Sequence, residues 1–315
     1  MRKWNDLDSL YGAVDGQKFG VERPTVKARY SRKYFGRGKG VVAYTLLCNH
    51  VPLNGYLIGA HEYEAHHVFD IWYRNTSDIV PSAITGDMHS INKANFAILH
   101  WFGLRFEPRF TDLDDQLQEL YCADDLALYE KCLIRPAGQI DRQLIVGEKA
   151  NIDRIVATLG LKEMTQGTLI RKLCTYTAPN PTRRAIFEFD KLIRSISPLR
   201  SLRDPQLERN VHRSQNRIES YHQLRSTIAQ VGGKKELTGR TDIEIEISNQ
   251  CARLIGNAII FYNSAILSLL LTKYEAAGNA KALALITQMS PAAWRHILLN
   301  GHYTFQTAGK FIDLE

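Results

Sequence analysis

Asp15, in the stretch AVDGQKFG, closes a short apolar run, Ser9 to Gly16, that reads as a strand. It places a carboxylate where the last apolar side chain would be buried. Asp87, in AITGDMHS, ends a second short strand in the same way. Two carboxylates at the ends of neighbouring strands share a small volume, and a divalent cation relieves their repulsion best. Hard oxygen ligands point to magnesium or manganese. A third acid should complete such a site. Glu219, in RIESYHQLRSTIA, lies one position past Ile218, about 100° round a helix, at the edge of its buried face. His222, one turn later, is placed to orient a carboxylate or a water, although a partly exposed helix histidine is the plainer reading. The chain has 33 acidic residues, so spacing alone does not single out these three.

A second pattern concerns anions. Arg23, Lys27, Arg29, Arg32, Lys33, Arg37 and Lys39 are interleaved with Tyr30, Tyr34 and Phe35, and no acid follows Glu22 in this segment. Such charge suits phosphate contacts, and the rings suit unpaired bases; the alternative is a solvated loop. Arg213, Arg217 and Arg225 flank Glu219 on its helix, to neutralise phosphates or to pair with surface acids. The net charge of +7 also favours an anionic partner, nucleic acid first. His61, His66 and His67 with Glu62 lack the H-E-x-x-H spacing of a zinc site, and five scattered cysteines suggest neither zinc nor a disulfide framework. A reducing, cytoplasmic location is expected from those cysteines, and MRKWNDLDSL shows no signal-peptide core. The apolar run from Ile255 to Leu271 contains Asn257 and Asn263 and is shorter than the roughly 20 residues of a membrane span. It is predicted to be a buried, central helix with no membrane involved, its two asparagines fixing helix register.

The elements that must position these residues fall into two regimes. Up to Phe110 the order is β-β-β-α-β-α-β: a strand to Gly16, a hairpin over 40–60, a helix over 61–75, a strand over 81–87, a helix over 90–103 capped by Ser90, and a strand over 104–110. This is an α/β mixed sheet with flanking helices. Beyond Asp112 strand signals nearly vanish, with helices predicted over 151–161, 167–175 and 183–197, the last bounded by Pro198. A long helix over 206–231 carries Glu219, and a second runs over 242–277.

Several segments together resemble the carboxy-terminal catalytic domain of the Tn-three family of transposases, the enzymes of replicative, cointegrate-forming transposons. They are VDGQKF followed by YSRKYFGRGKGVVAYT, TGD leading to FGLRFEPRFTDL, IESYHQLRSTI, and NAIIFYN with SPAAWRHILLNGHYTF, spread from Asp6 to Phe305. The resemblance implies a ribonuclease-H-like core over 1–111, a mostly helical insertion over 112–205 and a helical completion over 206–315. It also implies a D-D-E triad at Asp15, Asp87 and Glu219, separated by 72 and 132 residues, that holds two magnesium or manganese ions. The implied partners are DNA, both transposon ends and target, and further copies of the enzyme in a transpososome on the bacterial nucleoid. Arg29, Arg32, Lys33, Arg37, Lys39, Arg213 and Arg217 would contact that DNA. Met88 and His89 after the second aspartate, and Ile218 before the glutamate, depart from the family's usual small residues. Full-length members are longer and read transposon ends with an amino-terminal region, so the chain is expected to be a fragment. The residues alone leave two other readings open: a catalytically silent DNA-binding remnant, and a stand-alone ribonuclease-H-like nuclease.

Overall fold

The computed structural model describes residues 10–175 and 179–301, so the start of the predicted first strand and the tail after Gly301 lie outside the described residues. In chain order the elements are β1 (Tyr11–Val21), β2 (Arg29–Tyr30), α1 (Arg32–Phe35), β3 (Lys39–Cys48), β4 (Val51–Gly59), α2 (Val68–Tyr73), β5 (Ala83–Thr85), α3 (Asn95–Trp101) and β6 (Arg105–Phe106). The central region adds α4 (Leu113–Gln118), β7 (Tyr121–Cys122), β8 (Gly138–Gln139), α5 (Arg142–Gly147), α6 (Lys149–Gly160), α7 (Gln166–Thr175) and α8 (Pro181–Arg203). Last come α9 (Pro205–Ala229), β9 (Glu236–Leu237), α10 (Asp242–Ala276) and α11 (Ala280–Ile286).

The described residues form a curled mixed sheet whose main order is β4-β3-β1-β5-β6. β3 is antiparallel to both β1 and β4, whereas β5 and β6 run parallel to β1 and to each other. β3 buries nine consecutive residues from Gly40, as a central strand covered on both faces must. Against one face pack α2, α3 and the helical region, around Phe69, Phe96, Ile98, Leu159 and Ile186. Against the other pack α9 and α10, through Ile218, Tyr221, Leu224, Ile259 and Ile260. Apolar area removed from water on both faces, at about 25 cal/mol per Å², is what holds these layers together.

Several elements differ from expectation. β1 does not end at Asp15 but continues to Val21, because Gln17 and Phe19 bury on one face while Gly16 and Gly20 admit close neighbours on the other. Asp15 is therefore mid-strand. The helix expected over 61–75 is a 3₁₀ turn, Glu64–His67, followed by α2. The Ala65 carbonyl accepts from the side chains of Asn92, Asn95 and Gln166, which takes it out of regular helical pairing. α3 starts at Asn95 rather than Ser90. Asn92 Oδ1 accepts the N–H groups of Ala94 and Asn95, and Ser90 Oγ donates to the Asp87 carbonyl instead.

Pro198 sits inside α8 and does not end it; Ser195, Ser197 and Pro198 are buried, and that packing carries the helix through. α10 is not central. It buries Ala252, Gly256, Ile259, Ile260, Asn263, Leu267 and Leu271 on one side but leaves Ile247, Leu254, Phe261 and Tyr262 exposed on the other. An all-round apolar sequence does not say which faces this chain covers. By length and composition α10 could cross a membrane, yet Glu246 accepts from Leu57 N and Gln250 donates to the Gly55 carbonyl, which tie it along the sheet.

Candidate metal centre and its basic border

The pairing of β1 creates an opening. On one edge β5 pairs with Tyr11 to Ala13 and β9 pairs with Gly20 and Val21, and among the described residues no strand pairs with 14–19 between them. Asp15 lies in this gap. α9 runs beside it, with Gln17 Nε2 donating to the His222 carbonyl at 2.6 Å and to Ser226 Oγ at 2.7 Å. That pair of bonds sets the register of α9 on β1. It brings one ligand atom each of Asp15, Glu219 and His222 within 4.8 Å of one another. Asp204 caps the start of the helix by accepting from Gln206 N, and Pro205 begins it, so the sequence fixes where α9 starts.

Asp87 follows β5 by two residues. Gly86 makes the turn, since a Cβ there would meet Ser90 Oγ at 2.2 Å, and Asp87 Oδ1 accepts from His89 N at 2.9 Å. Burial, then the charges of Glu64 and Asp87, push the Asp15 carboxyl up to about 7, against the stabilising Gly16 N–H; Glu219 adds to the rise. Asp87 and Glu219 thus both lie within electrostatic reach of Asp15.

Glu64 is a fourth acid here, one that spacing in the sequence does not single out. It is largely buried, its Oε1 lies 3.6 Å from Lys18 Nζ, and burial raises its carboxyl above the usual range, with Lys18 opposing. The only signal in the sequence is Gly16, whose missing Cβ leaves room for the Glu64 carboxyl. Beneath the cluster the Tyr44 hydroxyl is pushed well above its ordinary value by burial and then by Glu64.

His222 is buried, and burial, followed by Arg225, Lys235 and Lys18, pushes it down to about 3, so its ring is neutral. Its Nδ1 lies 3.6 Å from Asp15 Oδ2, which is neither an ion pair nor a hydrogen bond at that length. Its Nε2 is buried with no hydrogen-bond partner among the described residues. The donors fit a divalent cation: clustered carboxylates that repel one another without one, and beside them a neutral imidazole of a kind that manganese tolerates better than magnesium.

The remaining predicted residues divide. Arg29, Arg32, Lys33, Arg37 and Lys39 are exposed, as is Arg213. Arg217 is half-buried and donates to Asn49 Oδ1 at 2.7 Å. Arg225 neither faces phosphates nor pairs with a surface acid: it is buried, donating to Asn249 Oδ1 at 2.7 Å with its guanidinium over Phe19. Asn263 is a buried amide but anchors the chain after α11, donating to the Pro291 and Ala293 carbonyls. The cluster His61, His66 and His67 gathers no metal set; His67 instead contacts Glu62 at 3.0 Å.

A curled mixed sheet between helices, with acids gathered at a gap in its central strand, defines a class of α/β domain with an acid cluster suited to a divalent cation. Residues 1–303 match the family model described as Tn3 transposase DDE domain, and the chain belongs to that family. It is 26% identical over 298 residues to the transposase for transposon Tn4556 of Streptomyces fradiae, covering 94% of this chain and 33% of that protein. It is also 26% identical over 304 residues to the transposase for transposon Tn1546 of Enterococcus faecium, covering 95% and 30%. The transposase for transposon gamma-delta of Escherichia coli K12 is 22% identical over 294 residues, covering 93% and 29%. The chain thus spans about a third of the length of these relatives.

Proposed function

We propose that this chain is the catalytic domain of a DNA transposase that cuts a strand at a transposon end and joins the freed 3′ hydroxyl to target DNA. The single observation that carries this is the convergence of Asp15, Glu219 and His222 at the gap in β1, with Asp87 in electrostatic reach. The order β4-β3-β1-β5-β6, with β3 alone reversed relative to its neighbours, supports reading the core as ribonuclease-H-like. On that reading the core spans 1–111, the helical insertion 112–205 and the helical completion 206–315.

Asp15, Asp87 and Glu219 would hold two magnesium or manganese ions, which when bound supply positive charge for the attacking and leaving oxygens at phosphorus. The chain's own residues do the rest. Asp15 places its charge from the middle of β1, paired to β3, and Asp87 from the turn after β5, where its Oδ1 is held by His89 N, so little reorganisation is needed. His222 sets a neutral ring 3.6 Å from Asp15 Oδ2, one that does not take up a proton at neutral pH. In the cutting step a water oxygen bonds to phosphorus, the bond to the 3′ oxygen breaks, and a 3′ hydroxyl and a 5′ phosphate result. Arg29, Arg32, Lys33, Arg37, Lys39 and Arg213 offer exposed charge to the phosphates, and further copies of the enzyme would bring two ends together on the bacterial nucleoid.

The test is manganese-dependent nicking of a labelled duplex, with Asp15→Asn and Glu219→Gln each expected to abolish it. Direct manganese binding, followed by the ion's spin-resonance signal, should weaken at least tenfold in both. Equal nicking in parent and variants overturns the assignment. Intact manganese binding without nicking in the parent favours the silent-remnant reading.

A further inference from the structure

A groove of about 550 Å³ opens beside the gap in β1, and its walls come from separate parts of the chain. β1 gives the floor at Lys18 and Gly20. One wall is α1 and the start of β3, with Tyr34 and Lys39; the other is the segment entering β9, with Lys234 and Lys235. Four lysines face a single acid, Glu236. Lys39, Lys234 and Lys235 are exposed, so their charge is held together by the fold and not by pairing with buried acids.

The groove is built, not incidental. β9 pairs with β1 at Gly20 and Val21, and Gly20 N donates to the Lys235 carbonyl at 3.2 Å, which fixes the lysine pair against the sheet. A Cβ on Gly40 would meet Phe35 Cζ at 2.3 Å, so the glycine lets α1 lie flat on the strands. Tyr34 holds Lys18 and Lys33 by its ring, at 4.3 and 5.0 Å. The groove also connects to the acids: Lys18 contacts Glu64, and Lys235 is within electrostatic reach of Glu219.

The geometry points to a binding site for the phosphodiester backbone of one DNA strand, entering or leaving the acid cluster between α1 and β9. This rests on the nucleic-acid reading above and adds to it a site, and a single strand rather than a duplex as its occupant. A concave basic channel with an aromatic wall is what single strands use. The volume suits a short stretch of one strand and is too small to enclose a duplex, whose two backbones lie on either side of a groove about 12 Å wide. The site combines Lys18, Lys234 and Lys235 with Lys39, so it is not the basic segment of 23–39 alone.

Binding of a fluorescein-labelled ten-residue oligothymidylate, followed by anisotropy in EDTA, tests this without any metal or activity. A hairpin duplex of matched length is the second probe. Lys39→Ala/Lys234→Ala should weaken oligothymidylate binding about tenfold. It should flatten the slope of log affinity against log salt by about 1.4, at about 0.7 for each phosphate no longer neutralised. Duplex binding should weaken by a much smaller factor, through Lys39, whose charge a duplex also meets, and Lys39→Arg/Lys234→Arg should retain both. Lys273→Ala/Lys281→Ala, which removes the same charge from α10 and α11, should leave oligothymidylate binding within twofold of the parent. Unchanged oligothymidylate binding in Lys39→Ala/Lys234→Ala, or equal losses for both probes or in both double variants, overturns the proposal. If that happens while nicking still depends on Asp15, the groove fails and the catalytic reading stands; the reverse pattern separates them the other way.

Discussion

A Cβ on Gly16 would meet Glu64 Cδ at 2.5 Å and Val42 Cγ1 at 2.6 Å, so the position after Asp15 is filled from both sides. Gly16→Ala must move both a core valine and a nearly buried carboxylate. Overpacking of this kind costs about 1 to 3 kcal/mol, so the variant should unfold at lower urea with an unchanged slope. Unchanged stability would mean that Glu64 swings out and Val42 shifts without cost. The same residue explains what the sequence showed of the site. Asp15, Asp87 and Glu219 stood out because each interrupts or borders an apolar run. Glu64 did not, because its place depends on a 3₁₀ turn that long-range bonds from Asn92, Asn95 and Gln166 impose on the Ala65 carbonyl. Lys18, Lys234 and Lys235 were equally hidden, being 216 residues apart in sequence from the first to the second and joined only through β9.

Helix α8 is fastened to α3 by a buried charge. Asp190 Oδ1 accepts from Ala97 N in the first turn of α3, and its Oδ2 lies 3.2 Å from Arg194. Burial outweighs both partners and pushes its carboxyl up to about 6. The sign follows: a carboxyl raised in the folded state adds stability below its unfolded value near 4, and that stability is lost as pH rises through about 6. Asp190→Asn keeps the shape without the titration. Its stability relative to the parent should therefore improve by roughly 2 kcal/mol between pH 4 and pH 7, read from urea melts at the two values. A constant difference across that range would show that Arg194 and the amide fully compensate the buried charge. At this scale the sequence was informative for α9, whose cap, first-turn proline and apolar stripe are all local, and for the β3–β4 hairpin. It misled where the deciding contact was tertiary: the end of β1, the interior of α8 at Pro198, and the exposed side of α10.

For the whole molecule, the chain holds an acid cluster and exposed cations but spans about a third of the transposases it resembles. Charge alone gives affinity without sequence preference, because phosphate contacts position a protein on DNA but do not read its sequence. Chemistry at phosphorus needs the scissile bond held in line, and such positioning is worth about 7 to 11 kcal/mol of barrier. The net charge of +7 supports only the first of these requirements. The chain by itself should therefore nick any duplex slowly and with little preference for a transposon end. Joined to the remaining two thirds of a relative such as the Tn4556 transposase, the same site should cut faster and at the end of that transposon. The measurement is single-turnover cleavage of an end-bearing and a scrambled duplex by the chain, by the fusion, and by the fusion carrying Asp15→Asn. The fusion should exceed the chain by at least a hundredfold on the end-bearing duplex and by far less on the scrambled one, with Asp15→Asn inactive on both. Equal rates for chain and fusion would show that this domain positions DNA without the rest, and an inactive fusion would assign the chain to the silent remnants.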